Sequence, residues 1–285
     1  MKTLLRVISI IFLLVGGFGL FLVEQNSDQL IVSSYEYFSQ KLPQSFDNFK
    51  IVQLSDMHNH SNQYSNGNII TIVKNENPNI IVMTGDFVDT HTKNIDEINF
   101  LLDGLNDYPI YFVPGNHEAY SPMTDNFYQS FFSHDKNVRL FDSLYICKIG
   151  SDSINLFGLH DPYYDRPDNQ YFFRNEGNVD NSLSNLVNNA DMSKFSILLS
   201  HRPELIDIYA KYDLDVVFSG HTHGGQISFG WTPYAANQCL PTYVAGEYIV
   251  NSTTMYVSRG LGYSAFLPVR MNCDMEIIAT TLRCA

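Results

Sequence analysis

Five short apolar runs, each closing on Asp, Asn or His, constrain this chain more than any other feature. KIVQLSD (50–56) leads into Asp56-Met57-His58, and NPNIIVMTGD (77–86) into Gly85-Asp86-Phe87-Val88-Asp89. YPIYFVPGNH (108–117) leads into Gly115-Asn116-His117-Glu118, FSILLSH (195–201) ends at His201, and LDVVFSGH (214–221) runs into His221-Thr222-His223. Unbroken apolar runs, rather than alternating ones, mark strands buried on both faces. Helical candidates lie between them. Ile95, Ile98, Leu101, Leu102 and Leu105 recur at helical spacing, and PELIDIYAKY (203–212) places proline at a first turn. Strands alternating with helices predict crossovers and a largely parallel sheet. In such sheets ligands sit beyond the carboxyl ends of the strands, so these polar ends predict one shared site.

Each residue alone has a structural explanation. Asp56 or Asp86 could cap the next helix, Asn116 could serve a turn after glycine, and His201 could be a hydrogen-bonded histidine. Together they form a carboxylate, imidazole and amide set, which suits zinc, manganese or iron better than calcium. His221 and His223, one residue apart, face the same way in extended backbone. Gly85, Gly115 and Gly220 each precede a candidate ligand, where the backbone must turn tightly. Gly224 and Gly225 read either as a passage beside a bound anion or as a simple turn.

The ordered motifs D-x-H, G-D-x-x-D, G-N-H-E, a lone H and G-H-x-H, from Lys50 to Gly225, resemble the calcineurin-like metallophosphoesterase superfamily. SHRPE (200–204), GHTHGGQ (220–226) and SRGLGYSAFLPVR (258–270) resemble a narrower branch of exported or membrane-anchored bacterial phosphoesterases. The resemblance implies an α/β fold, a four-layer α-β-β-α sandwich of two mixed sheets, with two divalent metal ions (Mn, Zn or Fe) at one edge. It assigns Asp56, His58 and His223 to one ion and Asn116, His201 and His221 to the other, with Asp86 bridging. His117 becomes a general acid or transition-state stabiliser, and Asp89 the carboxylate that orients it. The implied reaction is attack of a metal-bridging hydroxide on a phosphate ester.

Ser/Thr protein phosphatases of the superfamily carry arginines after G-D-x-x-D and G-N-H-E. Here Thr90 and Ala119-Tyr120 stand there, so a phosphodiesterase is expected over a protein phosphatase. Arg202, Arg259 and Arg270 are the candidate substrate contacts. Some members of the resembling branch cleave the pyrophosphate of a lipid A precursor, UDP-diacylglucosamine, which makes a lipid-linked or envelope phosphoester one expected substrate. Tyr163, Tyr164, Tyr171, Phe172 and Phe173 would then line an acyl groove, stack a base, or simply pack. The competing reading is a non-catalytic, membrane-anchored binding module on the same fold. Its signature would be a lost ligand, and every motif position is filled.

Seventeen basic against thirty acidic residues give a net charge of −13. That balance repels nucleic-acid phosphates, so no sequence-specific nucleic-acid partner is expected, and an exported nuclease is disfavoured. Any anionic substrate needs local positive charge, which bound metals supply. At the N-terminus Lys2 and Arg6 precede Val7 to Val23, seventeen residues without a charge. This length sits at the short end of the ~17–25 residues that span a bilayer, and no small-residue cleavage site follows. The expectation is a single-pass anchor over 1–25, its basic end inside and the catalytic domain extracytoplasmic. Secretion after cleavage is the alternative. A juxtamembrane stretch with a leading strand (26–48) and one catalytic domain (49–285) would follow. Cys147, Cys239, Cys273 and Cys284 lack zinc-site spacing and leave disulfides or lone thiols open. His60, His91, His134 and His160 match no motif. Residues 121–194 read as irregular, and 242–250, 253–260 and 275–282 as antiparallel strands.

Overall fold

The computed structural model describes residues 29–59, 66–165, 176–228, 233–234, 242–263 and 270–285. The expected anchor at 1–25, His60, Tyr171, Phe172, Phe173 and Cys239 lie outside the described residues. Among the described residues no helix is long and apolar enough to cross a membrane.

Fourteen strands are described: β1 (Leu30–Ser39), β2 (Phe49–Leu54), β3 (Ile80–Met83), β4 (Ile110–Phe112), β5 (Val138–Arg139), β6 (Ser143–Ile149), β7 (Asp152–Gly158), β8 (Ser196–Leu199), β9 (Val216–Ser219), β10 (Ile227–Ser228), β11 (Pro233–Tyr234), β12 (Gly246–Val250), β13 (Thr253–Val257) and β14 (Met275–Cys284). Sheet one runs β1-β14-β2-β3-β4-β5 and sheet two β12-β13-β9-β8-β7-β6, with β10 and β11 forming a separate two-stranded ribbon. Both large sheets are mixed. β2 to β5 are mutually parallel and β14 runs antiparallel to β2; β7, β8, β9 and β13 are parallel, with β6 and β12 antiparallel at the edges.

The period of two in an extended chain explains the unbroken apolar runs. In β3, Ile80 and Val82 enter the core between the sheets, whereas Ile81 and Met83 enter a second core on the outer face of sheet one. In β9, Val216 and Phe218 face inward, and Val217 faces a third core outside sheet two. Helices cover those outer faces. Ile69 and Val73 of α1 (Asn66–Glu76), Ile98 and Leu101 of α2 (Asp96–Gly104), and Phe127 and Phe131 of α3 (Thr124–Phe131) pack on sheet one. Val179 and Leu183 of α4 (Glu176–Asn188) and Ile206 of the short α5 (Ile206–Tyr209) pack on sheet two.

Two expectations change. The stretch 121–194 is not irregular, because it holds α3, the β6–β7 hairpin and α4. Its signal was weak because β6 (SLYICKI) is an edge strand that buries only Cys147 fully. Of the C-terminal strands, β12 and β13 form the expected antiparallel hairpin. β14 instead crosses to sheet one, antiparallel to β2 but parallel to β1 over the full register Leu30↔Met275 to Ser39↔Cys284.

His160 follows β7 and bonds Asp142, which directly precedes β6. Its Nδ1 lies 2.8 Å from Asp142 Oδ1, its ring stacks on Phe141 at 4.2 Å, and Ser182 Oγ donates to Asp142 Oδ2 at 2.6 Å. Burial opposes the charge on His160, but Asp142 and then Asp165 raise its pKa. Burial likewise opposes the charge on Asp142, and the bonds from His160 and Ser182 lower its pKa. The raised imidazole contributes stability fully below its ordinary pKa of ~6.5 and loses it as pH rises through the raised value. The lowered carboxyl contributes above ~3.9 and loses that as pH falls through the lowered value. His160→Gln should therefore cost about 1 kcal/mol at pH 5.5 and less at pH 9 in urea titrations. Equal costs at both pH values would refute the ion pair.

Candidate metal centre

The five polar strand ends do converge, but from two sheets rather than one. β2, β3 and β4 bring Asp56/His58, Asp86/Asp89 and Asn116/His117; β8 and β9 bring His201 and His221/His223. Buried hydrogen bonds join the two edges. Gln53 Nε2 donates to Ser219 O at 2.8 Å, His201 Nδ1 lies 2.7 Å from Thr84 O, and the His221 amide donates to both oxygens of Asp56 at 3.0 Å.

Three groups of ligand-type atoms result. Asp56, His58 and His223 make one buried trio and Asp86, His201 and His221 another, while His58 and Asp86 also meet the partly buried His117. His58 Nε2 and His223 Nε2 are 3.1 Å apart, as are His201 Nε2 and His221 Nδ1. Asp86 Oδ2 stands between the trios, 3.0 Å from His201 Nε2 and 3.9 Å from His58 Nε2. These atoms fit a cation. A carbonyl only accepts, so His201 Nδ1 carries hydrogen toward Thr84 O and a neutral ring turns its Nε2 lone pair to a carboxylate. Two lone pairs at that distance need positive charge between them. In the protein alone a proton serves: burial opposes it, but Asp86 pushes His201 up to about 10. Burial would raise Asp86, and His201, His117 and His58 carry it well below the usual carboxylate range instead. Burial raises Asp56 and pushes His221 and His223 well below the ordinary imidazole value. Asn116 Oδ1 and His223 Nδ1 are buried without a hydrogen-bond partner.

The backbone pays a conformational cost to achieve this. Asp56, His58, Asp86, His221 and His223 all have φ between 51° and 71°, a region non-glycine residues rarely occupy. Close approach explains Gly220, where a Cβ would strike Ser55 Oγ and the Asp56 carboxylate. The Gly224-Gly225 pair is a turn, with φ of 64° and 81°, and a Cβ on Gly224 would meet Cys273 Sγ at 2.6 Å and Arg259 Cγ at 2.9 Å.

Asp89 and His117 both lie beside the cluster. Asp89 Oδ2 lies 3.5 Å from His58 Nδ1, and its Oδ1 accepts the amides of His91 and Thr92, both at 2.8 Å. Asp89 thus faces the candidate ligand His58, while its charge also favours the protonated form of His117, the residue the resemblance had it orienting. His117 Nδ1 lies 3.1 Å from Tyr120 Oη, and its Nε2 faces Asp86 Oδ2 at 4.0 Å. Burial lowers His117 to about 4, which makes it a neutral imidazole rather than a carboxylate-backed cation.

Two of the three arginines have other work. Arg202 is held by Asp161 at 2.6 Å and Glu204 at 3.1 Å, with Nη1 3.4 Å from His221 Nε2. Arg270 is fully buried and donates to the carbonyls of Arg259 at 2.7 Å and Gly262 at 2.5 Å. Both guanidinium groups are thus engaged by protein atoms. Arg259 is half-buried with its stem over Gly224, and among the described residues no ion pair engages it. Cys147, Cys273 and Cys284 are free thiols. Tyr164 packs, bonding Tyr128 Oη at 2.9 Å, while Tyr163 lies against Tyr120 at 5.5 Å.

Glu118 is the residue whose role the sequence hid. Buried at 2% exposure, its Oε2 accepts the amides of Asp86 (2.9 Å) and Gly115 (2.8 Å), and its Oε1 those of Phe87 (2.6 Å) and Val88 (3.2 Å). Burial and the charge on Asp86 push its carboxyl up to about 7, against the pull of those amides. Only the spacing of a buried carboxylate three residues past Gly115 hinted at it.

Clustered carboxylates and imidazoles at the strand ends of paired mixed sheets define a candidate metallohydrolase. Residues 49–225 match the family described as Calcineurin-like phosphoesterase. An uncharacterized metallophosphoesterase of Campylobacter jejuni is 30% identical over 249 residues, 85% of this chain and 61% of that protein. The uncharacterized metallophosphoesterase YkuE of Bacillus subtilis is 30% identical over 263 residues, 86% of this chain and 82% of YkuE. A transmembrane protein with metallophosphoesterase domain from Bos taurus is 29% identical over 273 residues, 89% of this chain and 57% of that one. The chain belongs to the calcineurin-like phosphoesterase family. It spans only 58–61% of the length of several curated relatives it matches.

Glu118→Gln exchanges one acceptor oxygen for a donor opposite two backbone amides. It should destabilise the fold by about 2–3 kcal/mol and weaken metal retention. Denaturant unfolding with metal analysis checks this, and wild-type values in both would refute the role.

Proposed function

We propose that this chain is a two-metal phosphodiesterase acting on a membrane-proximal phosphoester. The supporting observation is the pair of ligand trios with Asp86 between them. In this reading Asp56, His58 and His223 hold one ion, Asn116, His201 and His221 the other, and Asp86 contributes to both. Two bound divalent ions would neutralise the substrate phosphate and supply a nucleophilic water near neutral pH. The charge left after two ligand carboxylates, about +2, would outweigh the acidic surface for an entering anion.

The protein's own groups do the rest. Asp89 and Thr84 O hold His58 and His201 in the tautomers that turn Nε2 inward. His117, neutral and beside Asp86, is placed to donate from Nε2 to a phosphate or leaving-group oxygen. That favours its role as a hydrogen-bond donor over an imidazolium acid. With Arg202 and Arg270 committed to structure, Arg259 is the remaining arginine for a phosphate contact. A single arginine suits a diester, which carries less charge than a monoester. Residues 1–25 would anchor the chain, with 49–285 forming the extracytoplasmic catalytic domain, and a lipid-linked phosphate would be within reach. The transmembrane relative supports an anchored arrangement.

The full chain loaded with manganese, zinc or iron should hydrolyse bis-p-nitrophenyl phosphate faster than p-nitrophenyl phosphate, and chelation should abolish both activities. Asp86→Ala should lose both ions by metal analysis. His117→Ala should keep them and lose about 10²–10⁴-fold in kcat on an alkyl leaving group. No turnover with any of manganese, zinc, iron, cobalt or nickel would reject the phosphoesterase.

A further inference from the structure

In the structure a tyrosine, not a carboxylate, stands behind His117. Tyr120 Oη lies 3.1 Å from His117 Nδ1 and 3.4 Å from Asn116 Nδ2. The rings of Tyr120 and His117 are 5.1 Å apart, and Tyr163 packs against the other side of the phenol at 5.5 Å. Asp89, the carboxylate otherwise placed to do this work, is engaged with His58 and with the amides of its own turn.

The hydrogen-bond inventory sets the direction of each bond. The Asn116 amide nitrogen only donates, so the Tyr120 oxygen accepts there. The phenol has one hydrogen, and His117 Nδ1 is the acceptor within reach. A neutral ring that accepts at Nδ1 carries its hydrogen at Nε2, which faces Asp86 Oδ2 at 4.0 Å. The same phenol also fixes the amide of Asn116. With Nδ2 drawn to Tyr120, the partnerless Oδ1 is turned the other way. We propose that Tyr120 is a positioning residue that locks His117 as its Nε2–H tautomer and, through the same oxygen, orients the Asn116 amide. This rests on the phosphodiesterase reading, in which that Nε2–H reaches a substrate oxygen and Asn116 is a ligand.

One oxygen serving two partners makes Tyr120→Phe a narrow test, since only the hydroxyl is lost. Zinc-loaded full chain labelled with ¹⁵N histidine should show the His117 ring nitrogens in the Nε2–H pattern. In Tyr120→Phe the pattern should shift toward a tautomer mixture. Kinetically, kcat for an alkyl phosphodiester should fall about tenfold with KM within twofold. Turnover of bis-p-nitrophenyl phosphate, whose leaving group needs no proton, should fall less than twofold. Saturating zinc should still give two ions per chain. A wild-type His117 protonated at Nδ1, or a variant with unchanged tautomer and unchanged alkyl-diester kcat, would overturn the assignment. The nitrogen spectrum is read without turnover, so an inactive wild-type enzyme would reject the phosphodiesterase reading while leaving Tyr120 separately decided.

Discussion

Hydrogen bonds from one sheet to two buried carboxylates of the other are the interaction on which this structure depends. Asp56 and Asp86 come from β2 and β3, and the groups that satisfy them, the His221 amide and the His201 ring, come from β9 and β8. Neither carboxylate reaches water, so each would carry a large desolvation cost if the sheets parted. The inner core supplies most of the attraction between the sheets, while these bonds set how their edges meet. They also explain why the loops tolerate left-handed φ at five candidate ligands. Strain of this kind persists only where surrounding contacts over-determine it.

Much of the site was legible because its chemistry is written in residue type at strand ends. Asp56, His58, Asp86, Asn116, His201, His221 and His223 were all marked by an apolar run stopping on a polar side chain, and the structure gathers the side chains of all but Asn116 into the ligand groups. Pairing within that set was harder to read. Asp89 lies one helical turn from Asp86 in sequence, and nothing local says its oxygen turns to His58 instead of His117. Tyr120 was noted only as a residue standing where related phosphatases place arginine. Glu118 gave only its spacing past Gly115, because the four backbone amides that converge on it come from two loops, Phe87 lying 31 residues from it in sequence. The arginines are not sorted by the sequence for a physical reason: a guanidinium can be engaged by carbonyls, as that of Arg270 is, and composition does not distinguish that use from a substrate contact.

The fold shows the same division. Strands buried on both faces announced themselves, and β2, β3, β4, β8 and β9 lie where the runs predicted. Edge strands gave less: β1 was expected only as a leading strand within 26–48, and β6, which buries one face at most, looked like loop. Which sheet a strand joins is also invisible locally, since β13 and β14 have similar composition and separate destinations.

The placement of β14 has a consequence for timing. Its neighbours on either side, β1 and β2, precede it by more than 200 residues, and among the described residues β1 has no other partner in the sheet. During synthesis β1 must therefore wait, unpaired, until residues 275–284 emerge from the ribosome and fill the gap between it and β2. The centre of sheet one and all five ligand loops can form before that moment. A strand made early is thus secured by one made more than 200 residues later.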